Sequence, residues 1–147
     1  MKSLTLTTLA LTMAAGAVWA DAHSVVRLGT EGAYPPYNFI NDNGEIDGFE
    51  RALGDELCAR AELTCEWVTN ECDSIIPNLT SGNYDVIIAG MSISDERVVV
   101  IDFTQVYIPP APSLFAAMSE DADLEGGVSA AQTNSIQSGY IAETGAT

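Results

Sequence analysis

The segment Tyr84-Asp85-Val86-Ile87-Ile88-Ala89-Gly90-Met91-Ser92-Ile93-Ser94-Asp95-Glu96-Arg97 decides the fold. Its first six residues read as a buried strand by their apolar run. Ser94 is suited to cap a further turn of helix from Asp95, whose early acids, Asp95 and Glu96, match the positive end of the helix dipole. The segment therefore predicts a strand that hands over to a helix, and the same alternation recurs upstream. Val25–Thr30 reads as a first strand. Phe49, Leu53, Leu57 and Ala61 recur every four residues as a helix face, and Cys65–Thr69 reads as a second strand. Asp73 is placed to cap a short helix through Ile75, Ile76 and Leu79, ending at Ser81-Gly82. Two prolines keep Tyr34-Pro35-Pro36-Tyr37-Asn38-Phe39 out of helix as an extended loop, and Asn41-Asp42-Asn43-Gly44 reads as a turn with positive φ at its tip. Strands separated by helix-length segments predict an α/β fold with parallel strands.

The 147 residues make at most one ordinary domain. With 47% hydrophobic and 18% charged residues, the chain has the material for a core and is not a disordered acidic tail. Lys and Arg total 5 against 21 Asp and Glu, a formal charge of −16. Such a chain repels polyanions and lacks the clustered cations that phosphate neutralisation needs, which excludes nucleic-acid binding and docking on anionic membranes through a basic patch. The 3 Cys are too few for a disulfide-built scaffold, and 1 His leaves no His-rich metal site.

Met1-Lys2 followed by the apolar run Leu4–Val18 has the pattern of a signal peptide. Val18-Trp19-Ala20 and Ala20-Asp21-Ala22 offer cleavage after Ala20 or Ala22. The run is short against the roughly 20 apolar residues of a membrane span, and no cationic stop follows. Residues 1–22 are thus expected to be removed. Lys2 and Asp21 leave together with cleavage after Ala22, so the mature chain stays strongly acidic. The expected product is an exported, soluble protein in a compartment where disulfides persist.

Three motifs in order carry a family resemblance: Arg27-Leu28-Gly29-Thr30-Glu31-Gly32-Ala33-Tyr34-Pro35-Pro36-Tyr37-Asn38-Phe39, then Asp47-Gly48-Phe49-Glu50, then Gly90 through Arg97. Together they resemble the family 3 extracellular solute-binding proteins, the polar amino-acid receptors of ABC importers. The resemblance covers about Val25 to Thr147. It implies a periplasmic-binding-protein-like type II fold, two α/β lobes around a cleft that closes on the ligand. Residues 23–112 would form lobe 1, and 113–147 the hinge and the start of lobe 2. Ile108-Pro109-Pro110-Ala111-Pro112 matches a hinge strand, and Ala131–Tyr140 the first strand, loop and helix of the second lobe. Family members continue well past the point matching Thr147, and a later acidic residue usually binds the ligand's α-amino group.

The resemblance makes Arg97 the clamp on a ligand α-carboxylate, the bidentate task for which a planar guanidinium is built. Free backbone N–H groups at a helix start also favour an anion there. From the residues alone Arg97 reads first as a surface ion-pair partner of Asp95, Asp102 or another acid, and the motif around it reverses that order. Ser92 would hydrogen-bond the ligand's backbone groups, and the Gly90 carbonyl its α-amino group. Ser135 matches a hydroxyl at a helix N-terminus of the second lobe; the sequence alone makes it the cap of a helix over Ile136–Ala142. Gln132 and Gln137 are weaker candidates, with Gln137 expected on the exposed helix surface. Tyr34 matches an aromatic lining the pocket, or else packs at its rim. Glu31 matches the acid that reaches a side-chain cation in basic amino-acid receptors, and otherwise is a solvated loop carboxylate. Together these residues tilt the ligand toward arginine, lysine, ornithine or an opine.

Cys72 departs from the family, standing where most relatives place an aromatic that stacks on the ligand; a thiol forfeits cation–π contact on that side and widens the pocket. Three thiols allow three pairings of one disulfide. The resemblance selects Cys58 with Cys65, leaving Cys72 free. The only His, His23, lies outside the motifs, so no Cys–His nucleophile is assembled. The resemblance implies no metal or cofactor, and as partners an amino acid and an inner-membrane ABC permease, with the receptor a monomer. Two other classes stay in view. A periplasmic enzyme of this fold, such as a dehydratase, would have only Glu31 as acid or base. A detached sensor ectodomain would need a membrane span beyond Thr147.

Overall fold

The computed structural model describes residues 25–124 and 126–144. The expected signal peptide and His23 lie outside the described residues, among which no helix is long and apolar enough to cross a membrane. The chain runs through β1 (Val26–Thr30), β2 (Ala33–Tyr34), β3 (Asn38–Ile40), β4 (Ile46–Asp47), α1 (Phe49–Arg60) and β5 (Cys65–Thr69). A 3-10 turn (Cys72–Ser74), α2 (Ile75–Thr80), β6 (Val86–Ile87), α3 (Asp95–Val98) and α4 (Ile136–Thr144) follow.

The expected parallel sheet is present, ordered β5-β1-β6, with Val26 opposite Cys65 and Leu28 opposite both Trp67 and Val86. β1 is central because Leu28, Gly29 and Thr30 tolerate burial on both faces. Gly29 is required by space: a Cβ there would lie 2.6 Å from the Tyr84 ring. That ring is buried, its hydroxyl donates to the Ile75 carbonyl, and burial pushes its phenol up from the ordinary value. β6 is shorter than the apolar run suggested, although Tyr84 and Ile88 on either side of it are buried.

Four expectations are corrected. The loop around Tyr34–Phe39 is a small antiparallel sheet, β2-β3-β4, pairing Tyr34 with Asn38 and Ile40 with Ile46 across the Asn41–Gly44 turn. That turn is closed by Gly44 N donating to the Asn41 carbonyl at 2.9 Å, with Gly44 at φ 79°. Helix α1 buries Glu50, Gly54 and Cys58, while Phe49, Leu57 and Ala61 are exposed. The helix is thus turned by one residue, roughly 100°. The cause is close approach: a Cβ on Gly54 would lie 2.5 Å from Trp67, and Cys58 is bonded to Cys65 at the start of β5. At Gly54 no side chain fits between helix and sheet. Asp73 sits inside the 3-10 turn, and Ser74 stands at the N-cap of α2, where no side chain caps. Finally, Ile108–Pro112 forms no strand, and neither does any described residue from 88 to 135; prolines at 109, 110 and 112 have no N–H to offer a ladder.

The core gathers Leu28, Cys58 and Ile88 with Val26, Cys65 and Trp67 around them. Arg27 clasps Asp85 at the near end of β6, with Nη2 to Oδ1 at 2.9 Å and Nε to Oδ2 at 3.1 Å.

Candidate functional site

Parallel strands deliver their C-terminal ends to one edge, where loops rather than ladders take over and ligands bind in α/β folds. β1 ends into Glu31, β5 leads to Cys72, and β6 leads to Ala89 and Gly90. Around this edge lies an open cavity of about 170 Å³, lined by Glu31, Tyr34, Cys72, Gly90, Ser92, Arg97 and Ser135, with Gln132 and Gln137 also on its wall. All seven residues singled out from the sequence therefore share one cavity. Among the described residues, no three His, Cys, Asp or Glu side chains come together to hold a metal ion.

The segment after β6 is held by its own backbone. Gly90 adopts φ 57°, and its position against the Tyr34 ring leaves a Cβ only 3.1 Å from Cε1. Ser94 caps α3, its carbonyl accepting from Arg97 N at 3.0 Å and its hydroxyl from the same N–H at 3.4 Å. The cap fixes where Arg97 leaves the helix. Its Nη1 donates to the Ser92 carbonyl at 2.8 Å and its Nη2 to the Asn134 carbonyl at 2.7 Å. The ion pairs among the described residues are Arg27–Asp85, Arg51–Asp55 and Arg60–Glu56. Arg97 is therefore not the surface partner of Asp95 or Asp102. With five N–H groups and two engaged here, it retains donors for an anion.

The opposite wall comes from the start of α4. Ser135 caps it, its hydroxyl accepting from Ser138 N at 3.1 Å and donating to the Gln132 carbonyl at 2.6 Å. The helix runs to Thr144, two residues past the expected end. Asn134 adopts φ 59°, and its side chain donates to the Asp73 carbonyl at 3.3 Å. Gln132 Nε2 donates to Glu31 Oε1. Gln137 is exposed, as expected, yet it lines the cavity and donates to Ser113 Oγ at 2.7 Å.

Cys72 is the free thiol, half-buried at the 3-10 turn. Burial and the nearby Glu31 carboxylate push its pKa up, against the smaller opposing pull of Arg97, so the thiol is neutral at pH 7. The Cys58–Cys65 disulfide stands away from this wall, with its Cα atoms 6.2 Å apart.

Sequence reading missed the residues behind the cavity. Glu50 is fully buried, its carboxylate accepting from Asn38 Nδ2 at 2.5 Å, from Gly90 N at 2.6 Å and from the Tyr107 hydroxyl. Burial, then the hydrogen bond to Glu50, raise the Tyr107 phenol far above its ordinary value. Glu50 directly follows Gly48-Phe49 at the start of α1, on the stripe next to the one that looked apolar, where an acid in a first helical turn gives no sign of burial.

The chain matches the bacterial extracellular solute-binding proteins, family 3, over residues 26–136. It is 44% identical to the octopine-binding periplasmic protein of Rhizobium meliloti over 98 residues, 67% of this chain and 33% of that one. It is 39% identical to the L-arginine-binding protein of Pseudomonas aeruginosa over 103 residues, 70% of this chain and 39% of that one. A periplasmic His/Glu/Gln/Arg/opine family-binding protein from Silicibacter pomeroyi, solved in complex with lysine, superposes with TM-score 0.79 at 74% identity, covering 83% of this chain and 56% of that one. The chain thus spans a third to somewhat over half of these relatives. Its α/β architecture is part of the two-lobed periplasmic-binding-protein fold. By the match over residues 26–136, this chain belongs to the bacterial extracellular solute-binding proteins, family 3.

Proposed function

We propose that this chain is the ligand-binding part of a periplasmic receptor that delivers a cationic amino acid or an opine to an inner-membrane ABC permease. The carrying observation is that one cavity holds both a carboxylate, Glu31, and a guanidinium, Arg97. An amino acid with a charged side chain needs both signs. The lysine in the Silicibacter pomeroyi protein and the names of the octopine- and arginine-binding relatives support the same class. In this reading Arg97 grips the α-carboxylate with Ser92 and Ser135, and the Gly90 carbonyl accepts from the α-amino group. Glu31 takes the distal cation, and Tyr34 lies along the ligand's aliphatic stem. The small Cys72 leaves one flank open, which suits the bulk of an opine.

The ligand replaces contacts already made. Its carboxylate competes with the Asn134 carbonyl for Arg97, and its cation with Gln132 for Glu31. Each exchange swaps a neutral partner for a charged one, which strengthens the bond. The names of the octopine- and L-arginine-binding relatives support binding rather than catalysis as the role of the cavity. Residues 23–112 serve as lobe 1 and 113–147 as the hinge and the start of lobe 2, in a monomeric exported receptor that closes on its ligand.

The test is calorimetry with lysine, arginine, octopine and neutral amino acids, on this chain joined to the remaining C-terminal part of the Silicibacter pomeroyi protein. Arg97→Ala removes one partner of a desolvated charge pair and weakens binding by about 2–5 kcal/mol, roughly thirtyfold or more. Glu31→Gln weakens lysine and arginine and spares neutral ligands. Tight lysine binding that survives Arg97→Ala rejects the proposed clamp.

A further inference from the structure

Behind the cavity, the Glu50 carboxylate is the meeting point of three chain segments that are far apart in sequence. It accepts from Asn38 Nδ2 at 2.5 Å, and Asn38 Oδ1 in turn accepts from Gly32 N at 2.8 Å, next to Glu31. It accepts from Gly90 N at 2.6 Å, at the root of the segment that carries Ser92 and Arg97. It also accepts from the Tyr107 hydroxyl, on the stretch leading toward α4. Glu50 and Asn38 are both fully buried. Glu50 touches none of the cavity itself, so its chemistry is spent on geometry.

We infer that Glu50 is the positioning residue of the ligand cavity, one buried carboxylate that sets the Glu31 arm and the Gly90–Arg97 arm at a fixed separation and ties the Tyr107 stretch to both. The inference rests on the ligand-binding reading above, and its own logic is a count of donors and acceptors. Three donors converge on two oxygens, one N–H on each, so the group between them must accept at both ends, which a carboxylate does and an amide does not. In Glu50→Gln the new amide NH2 faces either the Asn38 NH2 or the Gly90 N–H. If Asn38 turns over to accept, its own NH2 then faces Gly32 N–H. Either way one joint of the chain is broken. Adding Asn38→Asp repairs it without changing net charge: the aspartate accepts both from the glutamine amide and from Gly32 N–H, and the glutamine oxygen keeps Gly90 and Tyr107.

The experiment follows glycine amide exchange by NMR in 15N-glycine-labelled chain, and lysine affinity by calorimetry in the joined protein. Glu50→Gln should speed exchange at Gly90 or Gly32 by about tenfold or more and weaken lysine by about tenfold. The double variant Glu50→Gln with Asn38→Asp should bring both readouts back to within about threefold of the parent. If Glu50→Gln fails to fold, recovery of a folded, lysine-binding protein in the double variant supports the inference, and its failure to recover overturns it. Unchanged exchange at both glycines overturns it, as does faster exchange with unchanged lysine affinity, which would leave Glu50 a purely structural group. A parent that does not bind lysine overturns the ligand-binding reading instead, while the exchange data still decide whether Glu50 holds the two arms together.

Discussion

Residues 26–101 and residues 102–144 differ less in apolar content than in what that content meets. In the first region every strand has a partner, and all the buried side chains of the described residues fall between Leu28 and Ile88. In the second, only α4 is regular among the described residues, and Leu114 and Val128 are 88% and 90% exposed. Apolar side chains make a core only where a second layer covers them. The first region stacks α1 and α2 on a sheet, whereas the described residues from 102 to 135 have no ladder to lie against. The cavity sits where the two regions meet, with Arg97 and Glu31 on the ordered side and Gln132 and Ser135 on the other.

Hydrogen exchange gives the largest contrast. Amides of β1 and β5 should be protected by roughly a thousandfold or more over those of residues 102–118, because local opening free energy follows buried contacts. Mass spectrometry of peptic fragments reads this, and equal protection in both regions breaks the comparison. Side-chain truncation comes next. Ile75→Ala should cost about 2–5 kcal/mol in urea unfolding, whereas Leu114→Ala should stay within about 0.5 kcal/mol. A large loss at Leu114 would mean that the second region carries a core of its own.

Removing the Cys58–Cys65 bridge, by reduction or by Cys58→Ser with Cys65→Ser, should cost about 2–3 kcal/mol for so short a loop. It should leave exchange in residues 102–118 as it was. The smallest effect concerns the exposed Arg27–Asp85 pair. Hydrogen bonds from Arg27 hold the Asp85 carboxyl below its ordinary value. A depressed carboxylate contributes above its unfolded pKa of about 3.9 and loses that contribution as pH falls through the lower folded value. The melting temperatures of the parent and Asp85→Asn should therefore differ slightly at pH 7 and converge as the pH drops below about 4. High salt should narrow the pH 7 gap. A gap that widens in acid would reverse the assigned sign.

The parallel sheet was legible because β1, β5 and β6 carry local patterns that burial reinforces, and the Ser94 cap was legible because its chemistry is contained within four residues. The face of α1 was not. Hydrophobicity favours Phe49 and Leu57, but the distance between helix and sheet is set by Trp67, a residue that no period within the helix reveals. β2 to β4 escaped notice because two- and three-residue strands are too short to show alternation. The cavity wall was legible through family motifs, because two of those motifs run into the segments after β1 and β6 that line the cavity. Glu50 was hidden because its partners, Asn38, Gly90 and Tyr107, are long-range and its role depends on being buried, which a carboxylate at a helix start does not advertise.

The two glycines that press against rings, Gly29 on Tyr84 and Gly54 on Trp67, also restrict how this sequence can drift. Each ring fills the space a side chain on its glycine would take, with Cβ approaches of 2.6 and 2.5 Å. A mutation at either partner alone leaves a clash or a hole, so the accessible path runs through paired changes that trade volume across the contact. Gly54 has the steeper path, because the Trp67 indole also donates to Asp55, which in turn accepts from Arg51. A lineage that gives up Trp67 must release two surface groups as well as refill the interior. Among descendants of this chain, Gly54 and Trp67 should change together or not at all.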